Sequence, residues 1–396
     1  QPYFASVRFT DRNYLFGARV AASGTLGSGW SLSAAADVRT GRDMHVEGVF
    51  TNALTAGLRL ARRFGPGHEL ALLCIVPPST RGTRDWYDAR TPMPDNYRYL
   101  PSYAGDRETE LAWRSNDPRF TQIDWDELIR RNRMAGGHAV YALEDRAERL
   151  CNLSLNALFT TDPDPRLTLR YGVALRRGTT RSYKQMRDLL GAEYVTDIDR
   201  FLVDDDTYSN LLQNDLRHPD RTIREGGRFG YDYALTVRTA SVRVQADYRS
   251  DRFRADLSAE LGSGTVSRRG YYEKELFPGA QSYGRSRVMR FTPYAFRVLA
   301  GWAFTPRCYL EAALLADARI PAAEDLFYQP LYNNRTIDDS VLERTSAAEL
   351  GWRLTGPVLA LQVTAFAVLT LDGTETRRYY DDMASVYCDM AVTGVG

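Results

Sequence analysis

Side chains able to do chemistry are scattered along this chain of 396 residues rather than grouped. None of the four histidines stands near a second histidine or a cysteine at a metal-binding spacing. These histidines are His45, His68, His138 and His218. Neither a G-x-S-x-G nucleophile motif nor a P-loop is present. We therefore predict no catalytic residue and no metal site.

Three other features could carry chemistry, and each has a simpler interpretation. Residues 204–206 are three aspartates, but they lack the glycine and terminal glutamate of a calcium loop, so we interpret them as a solvated acidic loop. Residues 262–264 read Gly-Ser-Gly and are followed by a predicted loop rather than a helix, which does not support phosphate binding. The cysteines are far apart and are interpreted as small apolar side chains: Cys74, Cys151, Cys308 and Cys388.

The composition excludes two classes of protein. Basic and acidic side chains number 51 and 50, so a net charge of +1 gives no field that would attract nucleic acid. An apolar fraction of 44% is too high for a disordered chain. Tyrosine is abundant, at 24 residues, and its ring suits interfaces between apolar and wet surroundings.

A membrane-spanning helix is not predicted. The longest uncharged run covers residues 354–371, which is just the length that a spanning helix needs. Gly356 and Pro357 form a turn signal inside it, and the remainder is too short to cross a bilayer.

Alternation with a period of two dominates the sequence. From Phe253 to Leu261 every second residue is apolar, and Arg254, Asp256 and Glu260 lie among the residues between them. The same pattern recurs in residues 167–176, 242–249 and 348–354, which indicates strands with one apolar and one charged face. We count roughly fourteen such strands.

Short turns alternate with long polar loops between these strands. Turn signals occur at residues 27–29, 65–67, 162–165, 250–251, 305–306 and 355–357, and long tyrosine-rich stretches at about 77–137, 177–229, 263–287 and 319–343. Strands of ten or more residues, short turns on one side and long loops on the other are typical of an antiparallel transmembrane β-barrel with short periplasmic turns and long extracellular loops. The alternatives are a soluble all-β binding module and an outer-membrane barrel enzyme.

Several segments carry a family resemblance. Residues 85–103 include Tyr-Arg-Tyr-Leu-Pro-Ser-Tyr, residues 122–144 include Ile-Asp-Trp-Asp-Glu-Leu, and residues 319–351 include Pro-Ala-Ala-Glu-Asp-Leu-Phe and Asn333-Asn334. Asp-Leu-Leu-Gly at 188–191 accompanies them. Together they resemble the barrel of TonB-dependent outer-membrane receptors, in the branch with a carboxypeptidase-regulatory-like domain ahead of the plug.

The resemblance implies a receptor in the outer membrane of a Gram-negative bacterium. It would take up a scarce solute such as an iron chelate, haem, a vitamin, a glycan or a peptide. As a receptor it would not be an enzyme and would require no bound cofactor. Its expected partners are the TonB complex, acting through a plug domain, an extracellular small-molecule or oligomeric ligand, outer-membrane lipid and a surface lipoprotein, with no nucleic acid. We expect residues 1–396 to form a single partial β-barrel domain, with the plug and C-terminal strands outside it. A passive porin or specific channel is the alternative function.

Two sets of residues are predicted to matter for such a function. Aromatic residues of one long loop could stack on a ligand, although they could equally anchor at the lipid headgroups or pack loops together: Trp86, Tyr87, Tyr97, Tyr99 and Tyr103. Charged residues of the alternating strands are predicted to face the lumen or a plug: Arg170, Arg254, Asp256 and Glu260.

Overall fold

A computed structural model describes residues 3–44, 49–64, 68–77, 79–82, 124–199, 212–338, 340–381 and 386–394. Sixteen strands form one antiparallel sheet, in the order β1-β2-β3-β4-β5-β7-β8-β13-β14-β17-β18-β19-β20, with β6, β15 and β16 beside this path. The strands of this sheet are β1 Tyr3–Phe9, β2 Phe16–Gly27, β3 Trp30–Arg42, β4 Phe50–Arg63, β5 His68–Val76, β6 Ser79–Gly82, β7 Leu143–Asp164, β8 Leu167–Asp188, β13 Arg228–Arg249, β14 Phe253–Gly270, β15 Gly284–Arg285, β16 Met289–Phe291, β17 Tyr294–Thr305, β18 Cys308–Arg319, β19 Glu343–Thr355 and β20 Ala360–Leu371.

The remaining elements are short or separate. Two small pairs lie in one long connection: β9 Val195–Thr196 with β12 Thr222–Ile223, and β10 Ile198–Asp199 with β11 Leu212–Gln213. A further hairpin joins β21 Gly373–Asp381 to β22 Val386–Gly394. The helical elements are α1 Trp125–Met134 and two 3₁₀ turns, Gly279–Gln281 and Ala323–Leu326. None of the helices in the described ranges is long and apolar enough to cross a membrane.

The predicted alternation sorts the side chains of the sheet onto two faces. In β13 and β14 the register pairs Val242 with Leu261 on one face and Arg243 with Glu260 on the other. The apolar pair is strongly exposed, since 61% of the surface of Leu261 and 54% of that of Val242 are accessible. No described residue therefore covers this face of the sheet. We call it the apolar face, and we call the opposite side, which carries Arg243 and Glu260, the polar face.

One end of the apolar face carries a row of aromatic rings. Tyr248, Phe253 and Trp302 lie on three adjacent strands, and neighbouring ring centroids are about 6 Å apart, at 6.2 and 5.9 Å. On the strands before them Phe159 and Tyr171 stack at 5.6 Å. All five rings lie near tight turns, which is where an aromatic girdle would meet a membrane interface.

Tight turns join the strands at this end, as predicted. The β2–β3 turn is an example: Gly29 has a φ of +79°, which an L side chain rarely adopts, and its carbonyl accepts a hydrogen bond of 2.8 Å from the Arg63 amide. A Cβ at Gly29 would lie 2.4 Å from the Arg63 carbonyl oxygen, so the position requires glycine. The predicted turns at 250–251, 305–306 and 355–357 also separate successive strands, while 65–67 lies outside the described residues.

The opposite end differs from the prediction in where its loops begin. The expected loops at 177–229 and 263–287 start later, because β8 continues to Asp188 and β14 to Gly270. The pattern of alternation weakens there because both faces of the extended strands become partly buried. The glycines at 262 and 264 therefore lie inside a strand.

Candidate functional site

The long connections fold onto the upper part of the polar face. Val237, Leu235 and Tyr233 continue the same side of β13 that carries Arg243 lower down. They form a buried cluster with residues of β14 and of the connections: Val266, Met289, Phe291, Leu326 and Phe327. Burial of each large apolar side chain contributes about 1.5–3 kcal/mol, which holds these connections against the sheet. We call this cluster the loop core.

Small residues on β14 let the connections come this close. A Cβ on Gly270 would lie 1.9 Å from the Ser282 carbonyl oxygen, and one on Gly264 would lie 2.3 Å from the Ile320 side chain. Both glycines are on the polar-face side of the strand. Their absence of a side chain makes room for the backbone and side chains of the connections that follow.

Helix α1 is tied to the β8 end by one buried amide. Asp124 caps the helix by accepting a hydrogen bond of 3.0 Å from the Glu127 amide. The side chain of Asn132, which is fully buried, donates to the carbonyls of Tyr141 at 2.7 Å and Leu189 at 2.8 Å. Its Oδ1 also accepts two backbone amides, so every hydrogen-bonding position of this amide is used.

A buried lysine lies at the centre of the connections. The Lys274 Nζ donates to Asn214 Oδ1 at 2.6 Å and to the Gly230 carbonyl, both of which are neutral acceptors. Burial lowers the pKa of Lys274 to about 8. A neighbouring carboxylate, Asp197, accepts from Asn214 Nδ2 at 3.0 Å and is paired with Arg221. The network joins the β8–β13 connection, the β14–β17 connection and strand β13 through polar contacts that water hardly reaches.

A second buried cation lies under the loops. Arg268 donates to the Pro330 carbonyl at 2.6 Å, to Asn334 Oδ1 at 2.6 Å and to the Ser282 carbonyl at 3.1 Å. Burial lowers its pKa to about 10. Arg268 therefore links the β14–β17 connection to the β18–β19 connection through neutral oxygens, and these two connections form the cavity described next.

This cavity has a volume of about 790 Å³ and is open to solvent. Three arginines line it, Arg285, Arg287 and Arg335, and no Asp or Glu does among the described residues. The Arg335 guanidinium lies 4.6 Å from the centroid of the Tyr328 ring. Phe277, Ala280, Gln281, Ser286, Gln329, Asn333 and Asn334 complete the lining. We call it the basic cavity.

The chemistry of the basic cavity suits an anion. Guanidinium groups bind carboxylate and phosphate oxygens with paired hydrogen bonds, and the amide side chains of Gln281 and Gln329 add neutral donors. Its volume lies in the range of small-ligand sites. Asn334 forms part of the floor and is held by Arg268 and by the Ala280 carbonyl at 2.9 Å, so the site is built on an ordered base. The Ser286 hydroxyl in this lining accepts from the Arg268 amide at 2.9 Å and donates to the Arg287 carbonyl at 2.9 Å, and the described lining has no His, Asp or Glu side chain to activate it as a general base.

The strand residues predicted to face a lumen or a plug all lie on the polar face. Arg170 forms an ion pair with Asp247, and Arg254 with Glu311. Glu260 accepts from Arg243 at 2.9 Å. Asp256 accepts from Gln245 at 3.1 Å. Side chains of the wall thus satisfy one another, and exposed pairs of this kind are worth about 0–1 kcal/mol each. That they face a lumen or a plug remains a prediction.

The other predicted residues fall outside the described ranges. These are the loop aromatics Trp86, Tyr87, Tyr97, Tyr99 and Tyr103, and also the aspartates at 204–206. Within the described ranges, no group of three or more His, Cys, Asp and Glu side chains could hold a metal ion.

The sequence interpretation missed the basic cavity. Arg285, Arg287 and Arg335 come from two connections about fifty residues apart, and nothing in their local spacing marks them. Asn333 and Asn334, which contribute to the family resemblance, also line the cavity. Of the three arginines only Arg335 adjoins them in the sequence, so the sequence offered no signal for the cavity as a whole.

No protein-family model matches the chain, and no curated protein matches its sequence. Solved structures do match. The copper transporter OprC superposes with a TM-score of 0.52 and 13% identity, over 100% of this chain and 49% of that one. The ferric yersiniabactin uptake receptor FyuA from Yersinia pestis gives 0.48 and 10%, over 94% and 46%. The FrpB iron transporter from Neisseria meningitidis gives 0.48 and 12%, over 96% and 47%. The chain spans about half the length of these proteins.

The similarity to OprC, at this level of identity, concerns the fold. The chain has the architecture of the wall of an outer-membrane β-barrel: one antiparallel sheet with an apolar and a polar face. The predicted fold class is confirmed. The resemblance to the barrels of TonB-dependent receptors, drawn from the sequence segments, is consistent with this fold.

Proposed function

We propose that this chain is the barrel wall, with part of the extracellular loops, of a TonB-dependent receptor in the outer membrane of a Gram-negative bacterium. The observation that carries this proposal is the sheet itself. No described residue covers its apolar face, and its polar face carries cross-strand ion pairs, which is the distribution that lipid on one side and a polar interior on the other require. In this proposal the TonB complex acts through a plug domain.

We further propose that the transported solute is anionic and that it first binds in the basic cavity. The three guanidinium groups would neutralise its charge, and the Tyr328 ring would pack against its apolar part. The cavity lies on the loop side of the wall, opposite the tight turns, which is the extracellular side of such a barrel. Binding and transport, without a chemical step, account for the whole of this site.

Cell fractionation and uptake test these proposals together. The full-length protein should be in the outer-membrane fraction, and its folded form should migrate faster on unboiled than on boiled gels. Growth on a limiting anionic solute should require both the protein and TonB. Uptake that persists without TonB would favour a passive channel, and recovery in the soluble fraction would contradict the membrane assignment.

A further inference from the structure

A row of arginines lies on the apolar face. Arg177 of β8 is directly opposite Arg238 of β13, Arg238 is opposite Thr265 of β14, and Thr265 is opposite Arg290 of β16. Since directly opposite residues in a sheet point to the same side, all three arginines share the face of Val242 and Leu261. All three are exposed. We call these the margin arginines.

The margin arginines lie at one boundary of the apolar band. Ten residues separate Arg238 from Tyr248, which belongs to the aromatic row at the other boundary. Ten residues span about 33 Å along a strand. In a strand tilted by ~40° this corresponds to about 25 Å along the membrane normal, which is the height of the apolar band of an outer-membrane barrel. The row is therefore at the membrane surface on the loop side, where lipid headgroups lie.

Their charges have no counterpart in the described part of the chain. None of the margin arginines forms an ion pair or a side-chain hydrogen bond with the described residues, whereas some arginines of the polar face, such as Arg243 and Arg254, are paired across strands. Like charges directly opposite each other destabilise a sheet. Arg177 and Arg238 repel each other in this way unless an anion lies between them.

We propose that the margin arginines bind the phosphate of an anionic lipid headgroup in the loop-side leaflet. Guanidinium groups recognise phosphate through paired hydrogen bonds. Directly below them Leu175, Val242 and Leu261 form an exposed aliphatic surface for the acyl chains of the same lipid. A free phosphate ion would use only the arginines, so the aliphatic surface favours a lipid. This inference rests on the proposed membrane location.

Native mass spectrometry of the full-length protein tests it. The protein is transferred into mixed micelles that contain phosphatidylglycerol and phosphatidylcholine in equal amounts, and bound lipids are counted. The wild type should retain phosphatidylglycerol in preference. R177Q and R238Q should each weaken that preference about fivefold, and the double variant about 25-fold, as expected for basic residues beside an anionic surface. R176Q is the matched control, because Arg176 is the next residue along β8 and lies on the polar face.

The alternatives give different results. Equal losses in R176Q and R177Q would show a general effect of charge and would overturn the proposal. Full competition by inorganic phosphate would show a free-anion site rather than a lipid site, and would also overturn it. A protein that folds in the outer membrane yet shows no preference for phosphatidylglycerol would contradict this inference alone. A protein that needs no detergent would contradict the proposed function first.

Discussion

The lower and upper halves of β13 and β14 differ on the same side of the same two strands. In the lower half the polar face carries Arg243, Glu260 and Asp256, held in cross-strand contacts. In the upper half that side carries Leu235 and Val266, buried under the connections. The comparison shows that one side of a strand can carry charged residues along one part of its length and apolar residues along another, depending on whether the connections cover it. The change from charged to apolar residues marks where the wall ends and the loop core begins.

The loop core provides the largest expected effect. Replacement of Phe327 by alanine should destabilise the connections by about 3–5 kcal/mol, because this ring is fully buried and would leave a cavity. Limited proteolysis of the connections in the full-length protein measures this loss. Phe296→Ala on the apolar face is the control: its ring is 45% exposed and contributes far less to protein packing. Equal protease sensitivity in both variants would contradict the distinction between the two regions.

The two faces of the wall can be compared at adjacent positions. Val244→Arg places a charge near the middle of the apolar face and should lower the free energy of unfolding by about 2–4 kcal/mol in lipid. Gln245→Arg places the same charge on the polar face and should change stability much less. Urea unfolding in lipid vesicles distinguishes the two. A smaller loss in Val244→Arg than in Gln245→Arg would reverse our assignment of the faces.

The buried Lys274 should make the stability of the loop region depend on pH. The pKa of Lys274 is about 8 in the folded protein and close to 10.4 in the unfolded chain, so the unfolded state binds more protons between these values. Stability should therefore rise with pH from about 7.5 to 9.5, by about 1–2 kcal/mol. Lys274→Met should remove this slope, whatever its effect on overall stability.

The midpoint itself can be observed directly. Selective ¹³C labelling of lysine in the full-length protein gives one signal for each lysine, and the signal that is lost in Lys274→Arg but kept in Lys184→Arg belongs to Lys274. A Lys274 signal that titrates with the midpoint of an ordinary solvated lysine would contradict the burial of this side chain.

Replacement of arginines that line the basic cavity should have the smallest energetic effect of these changes. Replacing both Arg285 and Arg335 by glutamine should weaken the binding of citrate, used as a small trianionic probe, about tenfold, or about 1.4 kcal/mol, because charged contacts of exposed side chains contribute only about 0–1 kcal/mol each. Isothermal titration of the detergent-solubilised protein provides the measurement. Arg224→Gln removes an exposed arginine outside the cavity lining and should leave binding unchanged. Identical binding by wild type and the double variant would contradict an anion site here.

Much of the wall was predictable because alternation is a local property. Val242, Leu261 and Leu350 each belong to a strand in which every second residue is apolar. A residue two places along a strand always points to the same side of the sheet. Tight turns were equally predictable from residues such as Gly29 and Pro357. The extension of β8 and β14 beyond their predicted ends was not predictable from the sequence. Both faces of these extensions are partly buried by protein, so their residues do not alternate between apolar and charged.

The two-faced strands, their tight turns and the class of fold can be read from the sequence, because each depends on residues close together in the chain. The folded structure was needed to show that Leu235 and Phe327 share a core, that Lys274 lies away from water, and that Arg285 and Arg335 line one cavity. It also placed Arg177 opposite Arg238. These contacts join positions tens of residues apart, and they depend on sheet register and on how the connections fold back, which no local spacing records.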